Sequence, residues 1–97
     1  MNKKYSIDEI KSIAAPIAAE YGVSKLALFG SYATGSSHEN SDIDFVIEPG
    51  EIRGLAFFGF AHDLEEKFGI RVDVLTYDSI PQSKFFEPIQ EVVLYET

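Results

Sequence analysis

From Ser6 to Gly22 the apolar residues recur at helical spacing, with Ile7, Ile10, Ile13, Ala14, Ile17, Ala18 and Tyr21 on one stripe. Ser6 followed by Glu9 is a capping box, and Gly22 is a natural C-terminal stop. Pro16 lies opposite the stripe, so the Ser12 carbonyl that it deprives of a partner faces water and a kink is tolerable. Leu26 to Phe29 reads as a short buried strand, residues 31–35 as a short helical turn and residues 36–41 as a polar loop. Ile43 to Ile47 gives a second strand, which Pro49-Gly50 ends. Helical spacing returns from Gly54 to Phe68, with Phe57, Ala61, Leu64 and Phe68 on the core stripe and Phe60 at its edge. Leu55 and Phe58 lie well off that stripe, as a partner-docking patch or as a second buried face. Arg71 to Thr76 alternates as a third strand, with Asp73 between Val72 and Val74. In the tail, Pro81 opens a helix to about Gln90, and Val92 to Tyr95 pairs as an edge strand. The sum is an α/β (α+β) fold: a mixed sheet of three to four strands with helices packed against it.

A chain of 97 residues makes one domain, 1–97, that buries roughly 60–65% of its unfolded surface and leaves no room for a second, substrate-binding unit. Apolar content of 45% beside 25% charged residues argues against disorder. No apolar run approaches the ~20 residues of a membrane helix. The N-terminus meets Asp8 and Glu9 where a secretory signal needs its apolar stretch. Without cysteine there is no disulfide framework and no thiolate metal site, and a cytoplasmic setting is the simplest expectation. Sixteen acidic against eight basic residues give a net charge of −8, a field that repels a bare nucleic-acid backbone. No direct nucleic-acid contact is therefore expected. The same field tolerates a metal-bound nucleotide and attracts a basic protein.

Asp42 and Asp44 stand two residues apart, on one face of a strand, with about 6.6 Å between Cα atoms. Carboxylates that close repel each other, and a hard cation such as Mg2+, which takes oxygen ligands together with substrate phosphates, converts the repulsion into binding. Gly30 lets backbone approach a ligand closely, and Ser31 offers hydroxyl and N–H where anions are favoured. Asp73, in an apolar strand, carries a heavy desolvation cost if unpaired. If its strand neighbours that of Asp42 and Asp44, three carboxylates converge, enough for two metal ions about 3.5–4 Å apart in phosphoryl or nucleotidyl transfer. Asp73 is then also placed to take the proton from an acceptor hydroxyl.

The run Phe-Gly-Ser-Tyr-Ala-Thr-Gly from Phe29, then Ser-Asp-Ile-Asp-Phe-Val from Ser41, then Val-Asp-Val-Leu from Val72 resembles the minimal nucleotidyltransferases of the DNA polymerase beta superfamily. More narrowly, the chain is similar to the stand-alone antitoxin that pairs with an all-helical HEPN-domain ribonuclease toxin in prokaryotes. That resemblance implies a nucleotidyltransferase-like sheet and Mg-dependent transfer of AMP from ATP onto a tyrosine of the toxin partner, which silences it. It implies that Gly30, Ser31 and Ser41 hold the nucleotide, that Asp42 and Asp44 bind two Mg2+ ions, and that Asp73 serves metal and base. One departure is Thr34, where the family usually has Arg in its Gly-Ser-x-Ala-Arg-Gly turn.

Plainer accounts exist for each residue. Ser41 and Asp42 can cap backbone groups at a strand entry, Asp73 can pair with Arg71, Gly30 and Gly35 can be turn glycines, and Ser31 can be a helix cap. His38, His62 and the cluster Asp63, Glu65 and Glu66 read as solvated. Two rival functions follow: a non-catalytic antitoxin that occludes its partner, and a nucleotidyltransferase subunit acting on a small molecule with the acceptor pocket on another chain.

Overall fold

The capping box forms as the sequence predicts: the Glu9 N–H donates to the Ser6 hydroxyl at 3.1 Å, and the Ser6 N–H donates back to the Glu9 carboxylate at 2.9 Å. The computed structural model describes residues 4–30, 32, 35, 42–79 and 91–97. Helix α1 spans Ile7–Tyr21, runs through exposed Pro16 and stops at Gly22, whose φ of 78° is left-handed. The strands are β1 (Lys25–Phe29), β2 (Ile43–Glu48), β3 (Val72–Thr76) and β4 (Val92–Glu96), with helix α2 (Leu55–Phe68) between β2 and β3. A single 3-10 turn, Tyr77–Ser79, follows β3. The loop expected over 36–41 and the helix expected from Pro81 to Gln90 lie outside the described residues, as does the turn expected over 31–35 apart from Tyr32 and Gly35.

The sheet order is β3-β2-β1-β4. Strand β1 runs antiparallel to both β2 and β4, whereas β2 and β3 are parallel. A parallel pair needs a crossover rather than a hairpin, and α2 supplies it across the sheet. Both helices cover one face only. Ile10, Ala14, Ile17 and Ala18 of α1 and Phe60, Leu64 and Phe68 of α2 bury against Leu26, Leu28, Ile43, Phe45, Ile47 and Leu94. Tyr5 closes the end of this core: its ring meets Phe68 edge-on at 5.1 Å and its hydroxyl donates to the Phe68 carbonyl at 2.5 Å. Among the described residues no helix is long and apolar enough to cross a membrane.

The core stripe of α2 is rotated from the one the spacing predicts. Phe60, expected at the edge, is fully buried, while Ala61 and Phe57 are only partly so. The last turn of α1 draws the helix round: the Tyr21 ring packs edge-on against Phe60 at 5.5 Å, and its hydroxyl bonds Asp63 at 2.5 Å. On the outer side, Leu55 is 86% and Phe58 68% exposed, so neither belongs to a second buried face. Truncating Phe60 to Ala should therefore cost about 3–5 kcal/mol in urea unfolding. Leu55→Ala and Phe58→Ala should stay within about 0.5 kcal/mol of the parent.

Candidate active site

The parallel ladder between β2 and β3 sets Asp44 directly opposite Asp73, and the antiparallel ladder between β1 and β2 sets Asp44 opposite Phe29, the residue before Gly30. Since Phe45 points into the helix-covered core, alternation turns Asp44 to the other face of the sheet. Gly30, with φ of 75°, passes so close that a Cβ there would meet the Asp44 carboxylate inside 3.0 Å. Only glycine allows that approach. Two residues on, buried Tyr32 anchors the chain in the helix-side core. The sequence expectations for Gly30, Asp44 and Asp73 thus meet at one place. Ser31, Ser41, Thr34 and His38 lie outside the described residues.

Asp42 immediately precedes β2, where the Ile43 N–H donates to the Arg71 carbonyl at 3.1 Å and extends the ladder by one bond. That bond brings Asp42 and Arg71 level with each other. The Arg71 guanidinium Nε is 3.9 Å from Asp42 and 3.6 Å from Asp73. The ion pair foreseen for Asp73 therefore exists, and its second arm to Asp42 is new. The sequence could have revealed that arm only with the parallel register in hand.

Asp44 carries the electrostatic load. Its pKa is pushed from 3.8 to about 6, first by burial, then by the charges of Asp73 and Asp42 and a hydrogen bond with Asp73; Arg71 opposes this only partly. The acids are thus an under-neutralised set of hard oxygen donors beside a glycine turn, which is the donor chemistry that suits Mg2+. Among the described residues, no three such groups are already arranged about a single cation position. Two of the three carboxylates are engaged by Arg71 instead.

Beyond the acids, Ala27 and Val46 are buried on this face beneath Phe29 and Tyr77. At the opposite end Lys25 lies 3.5 Å from Glu91 and 5.0 Å over the Tyr77 ring, and the Tyr77 hydroxyl donates to Glu91. Burial and the Glu91 bond push the Tyr77 phenol up to about 12, so it stays protonated. A cleft of about 330 Å3 lined by Ile47, Glu48, Gly50, Tyr77 and Asp78 opens at that end, away from the acids. His62 pairs with Glu66 at 3.3 Å on the exposed side of α2, in keeping with its solvated reading.

Residues 10–95 match the nucleotidyltransferase domain family. The chain is 45% identical over 76 residues to a Methanocaldococcus jannaschii protein provisionally named a protein adenylyltransferase, covering 77% of this chain and 82% of that one. It is 32% identical over 93 residues to the protein adenylyltransferase MntA of Thermococcus cleftensis, covering 91% and 94%. Among solved structures, a toxin-antitoxin complex with AMP-PNP superposes with a TM-score of 0.70 at 22% identity, over 90% of this chain and 73% of that one. A complex of tri-AMPylated Shewanella oneidensis HEPN toxin with MNT antitoxin gives 0.65 at 18% identity, over 91% and 71%. At those identities the structural likeness speaks for the fold, and the α+β mixed sheet is that of the nucleotidyltransferases. With the sequence match running from α1 into β4, the chain belongs to the nucleotidyltransferase domain family.

Proposed function

We propose that this protein is a Mg2+-dependent protein adenylyltransferase, a single domain over 1–97, that moves AMP from ATP to a tyrosine hydroxyl of a HEPN-domain toxin and so acts as its antitoxin in the cytoplasm. The observation that carries the reading is the cross-strand register of Asp44 and Asp73 beside the bare Cα of Gly30. The activity named for the Thermococcus cleftensis relative and the AMPylated toxin of the Shewanella oneidensis complex support the choice of group and acceptor.

Asp42, Asp44 and Asp73 would hold two Mg2+ ions, which supply charge neutralisation and polarisation of the α-phosphate. The chain's own residues do the rest. Gly30 lets the turn after β1 close against the Asp44 carboxylate, which would bring a triphosphate at that turn next to the acids, with Ser31 and Ser41 as phosphate-binding partners. Asp73, on the edge strand, accepts the proton as the acceptor oxygen bonds to the α-phosphorus and the bond to the leaving pyrophosphate breaks. Catalysis is then mainly positioning and electrostatics.

Incubation with ATP, Mg2+ and the toxin partner should add AMP to the toxin, read as a mass gain, and Asp44→Asn should slow that transfer by at least about 100-fold. A tight complex that never gains mass would instead favour occlusion.

Removing the Asp44 charge should also stabilise the nucleotide-free protein. The folded pKa of about 6 lies above the ordinary carboxylate value of 3.8, so the folded state binds this proton more tightly, and stability falls as pH rises between those values. Solvent screening at this half-exposed group leaves on the order of 1 kcal/mol. In Mg2+-free buffer at pH 8, Asp44→Asn should thus melt about 4–8 °C above the parent. The difference should vanish below about pH 4.

Gly30→Ala places a methyl group against the Asp44 carboxylate at a left-handed φ. Its affinity for Mg-ATP should drop by at least about tenfold in equilibrium binding, since backbone and carboxylate must separate.

A further inference from the structure

We propose that Arg71 is an internal counter-ion of the acid cluster, paired with Asp42 and Asp73 in the free protein and released to the phosphates of the nucleotide when a divalent cation takes those carboxylates. The inference rests on the nucleotidyl-transfer reading and goes beyond it by giving a role to a residue outside the three acids.

Three observations carry it. The guanidinium reaches the two outer carboxylates at 3.9 and 3.6 Å, both near the long limit for an ion pair. Its side chain is 71% exposed, so little packing opposes a change of rotamer. Its backbone is fixed, because the Arg71 carbonyl accepts the Ile43 N–H. The side chain thus swings from a rigid base directly beside the site. An exposed pair of this length contributes little to stability and exchanges easily. A planar guanidinium freed from carboxylates has the donor geometry to bind phosphate oxygens in bidentate fashion. Asp42 and Asp73 both face Arg71, so a cation that takes these carboxylates competes with the guanidinium.

The two states make opposite demands on Arg71, which gives the test. Removing a positive charge that competes for the same carboxylates strengthens cation binding to the nucleotide-free protein, whereas removing a phosphate ligand weakens nucleotide binding. Titration calorimetry with Mn2+ alone, and then with a non-hydrolysable ATP analogue at saturating Mn2+, separates them. Arg71→Ala should bind Mn2+ roughly tenfold more tightly than the parent and the analogue several-fold more weakly. Arg71→Lys, which keeps the charge but not the planar fork, should bind Mn2+ like the parent and the analogue with intermediate affinity. Unchanged or weaker Mn2+ binding by Arg71→Ala overturns the proposal, and so does unchanged analogue binding. A parent protein that binds neither Mn2+ nor the analogue removes the nucleotidyl-transfer reading and this inference with it. A parent that binds both leaves that reading standing whatever the Arg71 variants do.

Discussion

Like charge held at strand spacing is the constraint on which this molecule turns. Asp44 and Asp73 face each other across a parallel ladder whose register fixes their backbones side by side. A direct like-charge pair is unfavourable in a sheet, and burial of Asp44 adds to it. What holds them is not local. The β2–α2–β3 crossover buries Phe60, Leu64 and Phe68 on the opposite face, and that burial fixes the register through the ladder. A fully buried aromatic or aliphatic side chain contributes about 1.5–3 kcal/mol. Three of them outweigh one strained carboxylate pair.

The sheet divides its faces between stability and chemistry. Both helices pack on one side, so the other is free to present Gly30, Asp44 and Asp73 at one end and the Lys25, Tyr77 and Glu91 group at the other. In a chain this small such a division is demanding, since among the described residues the second face has few apolar side chains of its own. Ala27 and Val46 keep its centre dry, and the contacts of Lys25 with Glu91 and the Tyr77 ring satisfy charges at the far end without placing them near the acids.

Much of this was legible in the chain because it depends on local chemistry. The Ser6 and Glu9 capping box, the Gly22 stop and the apolar run from Ile43 to Ile47 each act within a few residues, and the helix and strand expected there form. Phe60 differs from its sequence expectation because helical spacing reflects one helix at a time, whereas the facing Tyr21 ring bears on where the buried stripe is centred. The exposure of Leu55 and Phe58 was open for the same reason. At the site, the sequence supplied Gly30, Asp42, Asp44 and Asp73 but not the parallel register. Without that register the contact between Arg71 and Asp42 has no spacing to betray it, because 29 positions separate the two in the chain.

The charge balance of the whole chain bears on how such a site fills. At −8, the protein repels a bare triphosphate, and an acid cluster with no cation would repel it most of all. Lys25 is engaged by Glu91 at the other end of the face, and Arg53 is tied to the carbonyls of Gly50 and Ile52. Among the described residues, the positive charge paired with the acids is Arg71. A guanidinium that stays on the carboxylates neutralises them without binding anything, while one that leaves them without replacement exposes three negative charges. In the proposed exchange, a divalent cation would resolve both problems in one step: the acids would gain a stronger counter-ion, and the freed guanidinium would turn a repulsive surface into one that receives phosphate.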